Sequence, residues 1–212
     1  MASDPQFDET YQPEPPPKRG MSTGMKVLII LLCVFGGFAL LCCGGGVYMA
    51  YKFKNAFSED PVVVKDVTKK IADIDIPASF HPVGTMNINM FFMKMRFVVY
   101  ETKAKTGMMM LMEVSAPNAS EEDLRRSLNQ QGQGQNVRDL QVKKTETKTF
   151  TIRGQKAEFT FSEAVEPKSK AAYRQVKGSF PGRDKGAVML MLQVPEKEYN
   201  EAAVVKMINS IK

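Results

Sequence analysis

The sequence predicts an α+β protein: an N-terminal transmembrane helix followed by an antiparallel sheet, built as a hairpin plus a four-strand meander and packed with helices. Three observations predict this. The 25 residues from Val27 to Tyr51 carry no charge. Two amphipathic segments, one opening at Pro61 and one after Val194, repeat apolar residues at three-to-four spacing. Between them, short runs rich in β-branched, aromatic and methionine residues are separated by turns of glycine, proline and charged residues.

Residues 1–25 are polar, with Pro13, Pro15, Pro16 and Pro17 just ahead of Lys18 and Arg19. Nothing there can bury an apolar face, so a disordered tail is expected. The spacing of Pro13, Pro16 and Lys18 also fits a polyproline ligand, although a plain tail accounts for the same composition.

Residues 26–51 are expected to form the transmembrane helix. At 1.5 Å rise per residue the charge-free stretch covers about 37 Å, more than a hydrocarbon core of about 30 Å. Lys26, Lys52 and Lys54 bracket it, and Tyr48 and Tyr51 suit the interface. A cleaved signal peptide competes with this reading. Signal cores, however, run to only about 7 to 15 residues, and no small-x-small cleavage site precedes a plausible mature start. An uncleaved signal anchor usually leaves its short tail inside, so the expected location is the cell membrane, single-pass, with the domain extracytoplasmic. Gly36, Ala39, Cys43, Gly46 and Ala50 line one seam of the helix, which would let a second copy approach as a homodimer; small residues are also common in membrane helices for no such reason.

The chain carries a net charge of +6. Of its 29 basic and 23 acidic residues, all but three and four respectively lie after the charge-free stretch, so the excess belongs to the folded part. That favours anionic surfaces such as headgroups or acidic proteins. All three cysteines (Cys33, Cys42, Cys43) lie in the stretch itself, which leaves the domain without a disulfide framework or thiolate metal site.

Residues 52–73 are read as a juxtamembrane amphipathic helix, with Pro61 in its first turn and Val63, Val64, Val67 and Ile71 on one side. It could lie on the membrane, but packing on the domain is the preferred reading. The globular α+β domain then occupies 74–212. Pro77 and Pro82 suggest an extended loop over Ile76 to Val83. Met95, Phe97 and Val99 alternate with basic residues as a strand, and Lys103 to Gly107 turns into a second strand, Met108 to Ser115. Ser120 caps a short helix with Leu124 and Leu128 on its apolar side, ended by the glycine-glutamine run from Gln130 to Gln135.

Four strands follow as a meander: Leu140 to Ile152, Gln155 to Ala164, Ala171 to Phe180 and Ala187 to Val194. The last is apolar on both faces and should be central and covered on each side. Glu196 to Lys212 is the expected closing helix, with Tyr199, Ala203, Met207, Ile208 and Ile211 in one stripe.

This order of elements, with "IPASFHP" at its opening and "MINSIK" at its close, resembles the PsbP-like family of small domains over roughly residues 74–212. The resemblance implies an α+β sandwich and an accessory role beside a larger complex, usually outside the cytoplasm and often at a membrane. It implies no functional residue, because it rests on topology and end signatures.

Chemistry is sparse. His81 is the single histidine, which excludes the common histidine-based metal sites, and no phosphate-loop, zinc-protease or serine-hydrolase motif occurs. A non-enzymatic binding or accessory domain without cofactor follows, its partners the lipid bilayer and an envelope protein or complex. Nucleic acid is not expected, since the basic residues are scattered. An enzyme of unrecognised type is one rival. Two features stand out as candidate sites. A simple meander brings Arg153, Lys156, Arg183 and Lys185 to one end, where they could meet an acidic partner or headgroups. Met108, Met110 and Met112 fall on one face of a strand, where thioethers could hold Cu(I), although methionine equally serves as core filler.

Overall fold

The structure is a computed structural model and describes residues 56–134, 140–183 and 185–212. The tail over 1–25, the anchor over 26–51 and the seam from Gly36 to Ala50 lie outside the described residues. Among the described residues no helix is long and apolar enough to cross a membrane.

One antiparallel sheet of eight strands organises the domain. In chain order the strands are β1 (Phe57–Ser58), β2 (Phe80–Met90), β3 (Met93–Thr102), β4 (Met108–Ser115), β5 (Gln141–Ile152), β6 (Gln155–Val165), β7 (Ala172–Pro181) and β8 (Ala187–Pro195). Their order across the sheet is β1-β2-β3-β4-β8-β7-β6-β5. Among the described residues three α-helices accompany it: α1 (Pro61–Ile71), α2 (Glu121–Gly134) and α3 (Glu201–Asn209).

The meander β5 to β8 follows the sequence reading to within a residue at most ends, and β8 is central as expected, buried along its whole length between β4 and β7. The first half differs. The segment read as a loop and then left unassigned is β2, so the expected two-strand hairpin is a three-strand meander with β1 added at the edge. Proline stays compatible with β2 because the register shifts between Pro82 and Gly84, so the missing N–H falls at an irregularity.

The period-two alternation gives the sheet two distinct faces. Along the first, Val98, Leu111, Leu190, Gly178 and Phe159 stand in one row across five strands. Val64, Val67 and Ile71 of α1 and Val204, Met207 and Ile208 of α3 close over this face in the main core. The helix placed in a separate juxtamembrane segment is thus an integral part of that core. Asp60 starts it, accepting a hydrogen bond from the Val62 amide at 2.8 Å.

Gly178 has no side chain because the Phe159 ring lies over it; a Cβ there would come within 2.4 Å of the ring. Phe159 meets Phe150 edge-on at 5.4 Å between centroids. The closing helix is shorter than the sequence reading. Glu196–Glu198 form a 3-10 turn, and α3 starts only after Asn200, whose side chain accepts from the Ala203 amide. Asparagine competes with the helix interior and favours the cap, which the apolar stripe alone does not reveal.

On the second face, Leu124 and Leu128 of α2 pack on Met112, Val114, Ala187 and Met189. The Ser120 hydroxyl accepts from the Asp123 amide at 3.1 Å, as the cap reading expected, and the helix continues through the glycine-glutamine run to Gly134.

Candidate functional site

Two regions carry the sequence-derived candidates. The first is the end of the sheet formed by the β5–β6 and β7–β8 turns. Ile152 pairs with Gln155 and Pro181 with Ala187, so Arg153, Lys156, Arg183 and Lys185 do gather at one end. Arg153 and Gly154 both have positive φ, the geometry of a two-residue hairpin whose twist matches its strands.

Their side chains divide into two roles. The Arg153 guanidinium donates to the carbonyl oxygens of Pro181 (2.6 Å), Ile71 (3.3 Å) and Lys212 (2.9 Å). Arg183 donates to the Lys69 carbonyl at 2.8 Å. Arg96 of β3 reaches the Lys70 carbonyl at 3.4 Å. Three consecutive carbonyls at the C-terminus of α1 are therefore taken by three arginines from separate parts of the chain. Those carbonyls lack intrahelical partners and sit at the negative end of the helix dipole, so cations are favoured there. Burial, together with the Arg183 charge, lowers the Arg153 pKa from its ordinary value. Lys156 and Lys185 remain exposed, so the part of this end open to a partner is smaller than the four-residue set.

The second region is the uncovered half of the second face. Met108 and Met110 lie on it, half-buried, with Met112 at its border against α2, while the alternate residues Met109 and Leu111 are fully buried in the main core. Met109 is thus core filler and Met112 packs in the α2 cluster, while Met108 and Met110 are half-buried outside both. Cross-strand register extends the surface: Met110 faces Val99 on one side and Met191 on the other, and Met112 faces Phe97 and Met189. Beyond them, Met86 and Ile88 of β2 face Phe97 and Met95. Since α2 packs on β7, β8 and the near part of β4, the stripe over β2 and β3 has no helix over it among the described residues and is half-buried. Contiguous apolar rows that are not fully covered are where interaction surfaces are sought. Thioether side chains make such a patch adaptable to its partner.

His81 lies elsewhere, in an open groove of about 480 Å³ between α1 and β2 with Lys65, Lys69 and Tyr100. The Tyr100 hydroxyl is 2.8 Å from Thr68 Oγ1, and burial raises its pKa. Tyr100 therefore keeps its proton, which suits a structural hydrogen bond rather than a base. Among the described residues no cluster of three or more histidine, cysteine or acidic side chains could hold a metal.

No protein-family model and no curated protein matches the chain. Among solved structures, the fold is similar to that of cyanobacterial PsbP (CyanoP) from Synechocystis sp. PCC 6803, with a TM-score of 0.39 and 11% identity over 74% of this chain and 90% of that one. A second similar structure is LpqN, involved in cell envelope biogenesis of Mycobacterium tuberculosis, with a TM-score of 0.30 and 10% identity over 66% of this chain and 76% of that one. No residue role is carried over from either protein.

Proposed function

We propose that the chain is a single-pass, membrane-anchored, non-enzymatic accessory domain of the cell envelope, which binds another envelope protein or complex through the uncovered methionine-rich face. The half-buried apolar stripe Met86, Ile88, Met95, Phe97, Val99 and Met110 carries this reading, because apolar area is expensive to leave in water and no helix among the described residues lies over it. The exposed Lys156 and Lys185 supply a polar contact at the end of the sheet. The charge-free stretch Val27 to Tyr51 supplies the anchor, with the domain outside the cytoplasm and pairing of copies through the Gly36 to Ala50 seam.

Photo-crosslinking in native membranes tests the binding face. A crosslinker at Met110 should give one adduct of discrete mass, lost in the Met95→Lys variant, while a crosslinker at Thr149 on the far edge strand gives none. Equal adduct patterns from both positions would contradict the proposal.

A Cu(I)-handling module is the second reading, and one observation favours it. The register sets Met110 opposite Met191 and Met112 opposite Met189, with cross-strand Cβ separations of about 4.5–5.5 Å that thioethers can bridge. Titration of the detergent-solubilised full chain with Cu(I) separates the two readings: stoichiometric binding abolished by Met110→Leu supports copper, and no binding removes it.

A further inference from the structure

The β2–β3 connection is the least expected surface of the molecule. Met90 pairs with Met93, so Phe91 and Phe92 form a two-residue turn. Phe91 is 101% exposed and Phe92 64%. Neither has the positive φ that some hairpin turns require, and neither belongs to the residue types that turns favour. Turn conformation therefore gives no reason for phenylalanine, and packing among the described residues gives none either. Two adjacent rings held at a protruding tip are explained by an apolar medium outside the domain.

Chain direction identifies that medium. Phe57 pairs with Met86 and Ser58 with Thr85, antiparallel, so the chain enters β1 travelling from the Phe91–Phe92 end of the sheet. From the Phe57–Met86 pair, five further residues of β2 carry the tip about 17 Å toward the incoming chain at about 3.3 Å per residue. Tyr51, where the charge-free stretch ends, is six residues before Phe57, a span of at most about 20 Å. A connection of that length is enough to let the tip reach the level at which the charge-free stretch ends.

Charge agrees with a lipid surface. An open groove of about 310 Å³ beside Phe91 is walled by Met90, Met93, Pro117 and the lysines Lys94 and Lys185, of which Lys185 is exposed. An amphipathic rim of this composition suits acyl chains below and phosphate headgroups above.

We propose that the Phe91–Phe92 tip inserts into the outer part of the lipid bilayer, with Lys185 at headgroup level, so that the domain sits on the membrane instead of swinging on its tether. This inference rests on the reading of Val27 to Tyr51 as the anchor.

The chain contains no tryptophan, so a single introduced one is a clean reporter. Full-length F91W, F92W and V142W proteins, each confirmed folded by circular dichroism, are reconstituted in vesicles of phosphatidylcholine and phosphatidylglycerol and exposed to brominated lipids. Val142 is the control: it is exposed and pairs with Ala164 at the opposite end of the sheet. F91W and F92W should emit to the blue of V142W and be quenched several-fold more, most strongly by shallow labels at an insertion of about 5–10 Å. V142W should be unaffected. Protein that sediments with the vesicles while F91W behaves like V142W overturns the tip and leaves the anchor standing. Protein that neither sediments nor is quenched overturns both. Blue-shifted F91W emission in native membranes without quenching by bromolipid would assign the tip to a protein partner and likewise overturn the proposal.

Discussion

The carboxylate of Glu113 lies 2.6 Å from Nη1 of Arg96, the residue directly opposite it in the sheet, on the face that otherwise carries the apolar core. Glu113 is 1% exposed. A buried charge is tolerated only with a partner, and Arg96 also reaches the C-terminus of α1. Removing one partner strands the other. We expect Arg96→Ala to cost about 3–5 kcal/mol of stability, and the double replacement of Arg96 and Glu113 by methionine to recover most of it. Urea unfolding of the single and double variants checks this; equal losses in both would show that the pair is not the source.

Gly178 is expected to be the least replaceable glycine of the sheet. Gly178→Ala drives a Cβ into the Phe159 ring, which is itself wedged against Phe150, and should cost about 1–3 kcal/mol. In a Phe159→Ala background the same change should cost much less, because the obstructing ring is gone. Thermal unfolding of the four-member cycle measures the coupling.

The two kinds of basic residue at the sheet end should separate cleanly. Arg153→Ala removes charged donors from three carbonyls and should destabilise by about 1.5–3 kcal/mol. Lys156→Ala and Lys185→Ala should change stability by no more than about 0.5 kcal/mol. Any loss of partner or lipid binding in the two lysine variants is then a surface effect, whereas Arg153 variants confound binding with folding. Chemical unfolding curves for the three proteins decide the matter.

Tyr199 links stability to alkaline pH. Its pKa is raised from 10.0 to about 12, mainly by burial and then by the Glu201 charge. Between these values the unfolded tyrosine has lost its proton while the folded one keeps it. The native state therefore binds more protons, and stability falls as pH rises through this window. Tyr199→Phe should lose less stability between pH 10 and pH 12 than the unaltered protein. Parallel slopes would show that the Tyr199 hydroxyl does not carry the effect.

The strands from Gln141 onward were legible because β5 and β6 alternate toward one buried face, β8 is a continuous apolar run, and Arg153-Gly154 and Pro181 to Gly186 have recognisable turn chemistry. β2 was not, since Pro77 and Pro82 read locally as a loop through Val83, and only pairing with β3 extends the strand back to Phe80. The arginine caps of α1 were equally hidden: the donors stand 26, 82 and 114 residues from the carbonyls they satisfy. Composition pointed to Met108, Met110 and Met112, yet only the cross-strand register shows that they share a face with Met86 and Met95 and with the buried Met191. Phe91 and Phe92 escaped notice because aromatic residues seldom mark a turn.

The anchor reading of Val27 to Tyr51 supports both the binding face and the lipid-seated tip, and alkaline carbonate washing of native membranes followed by high-speed sedimentation tests it most directly. The account predicts full-length protein in the pellet, released only by detergent. Full-length protein in the supernatant, with its first fifty residues intact, would contradict it.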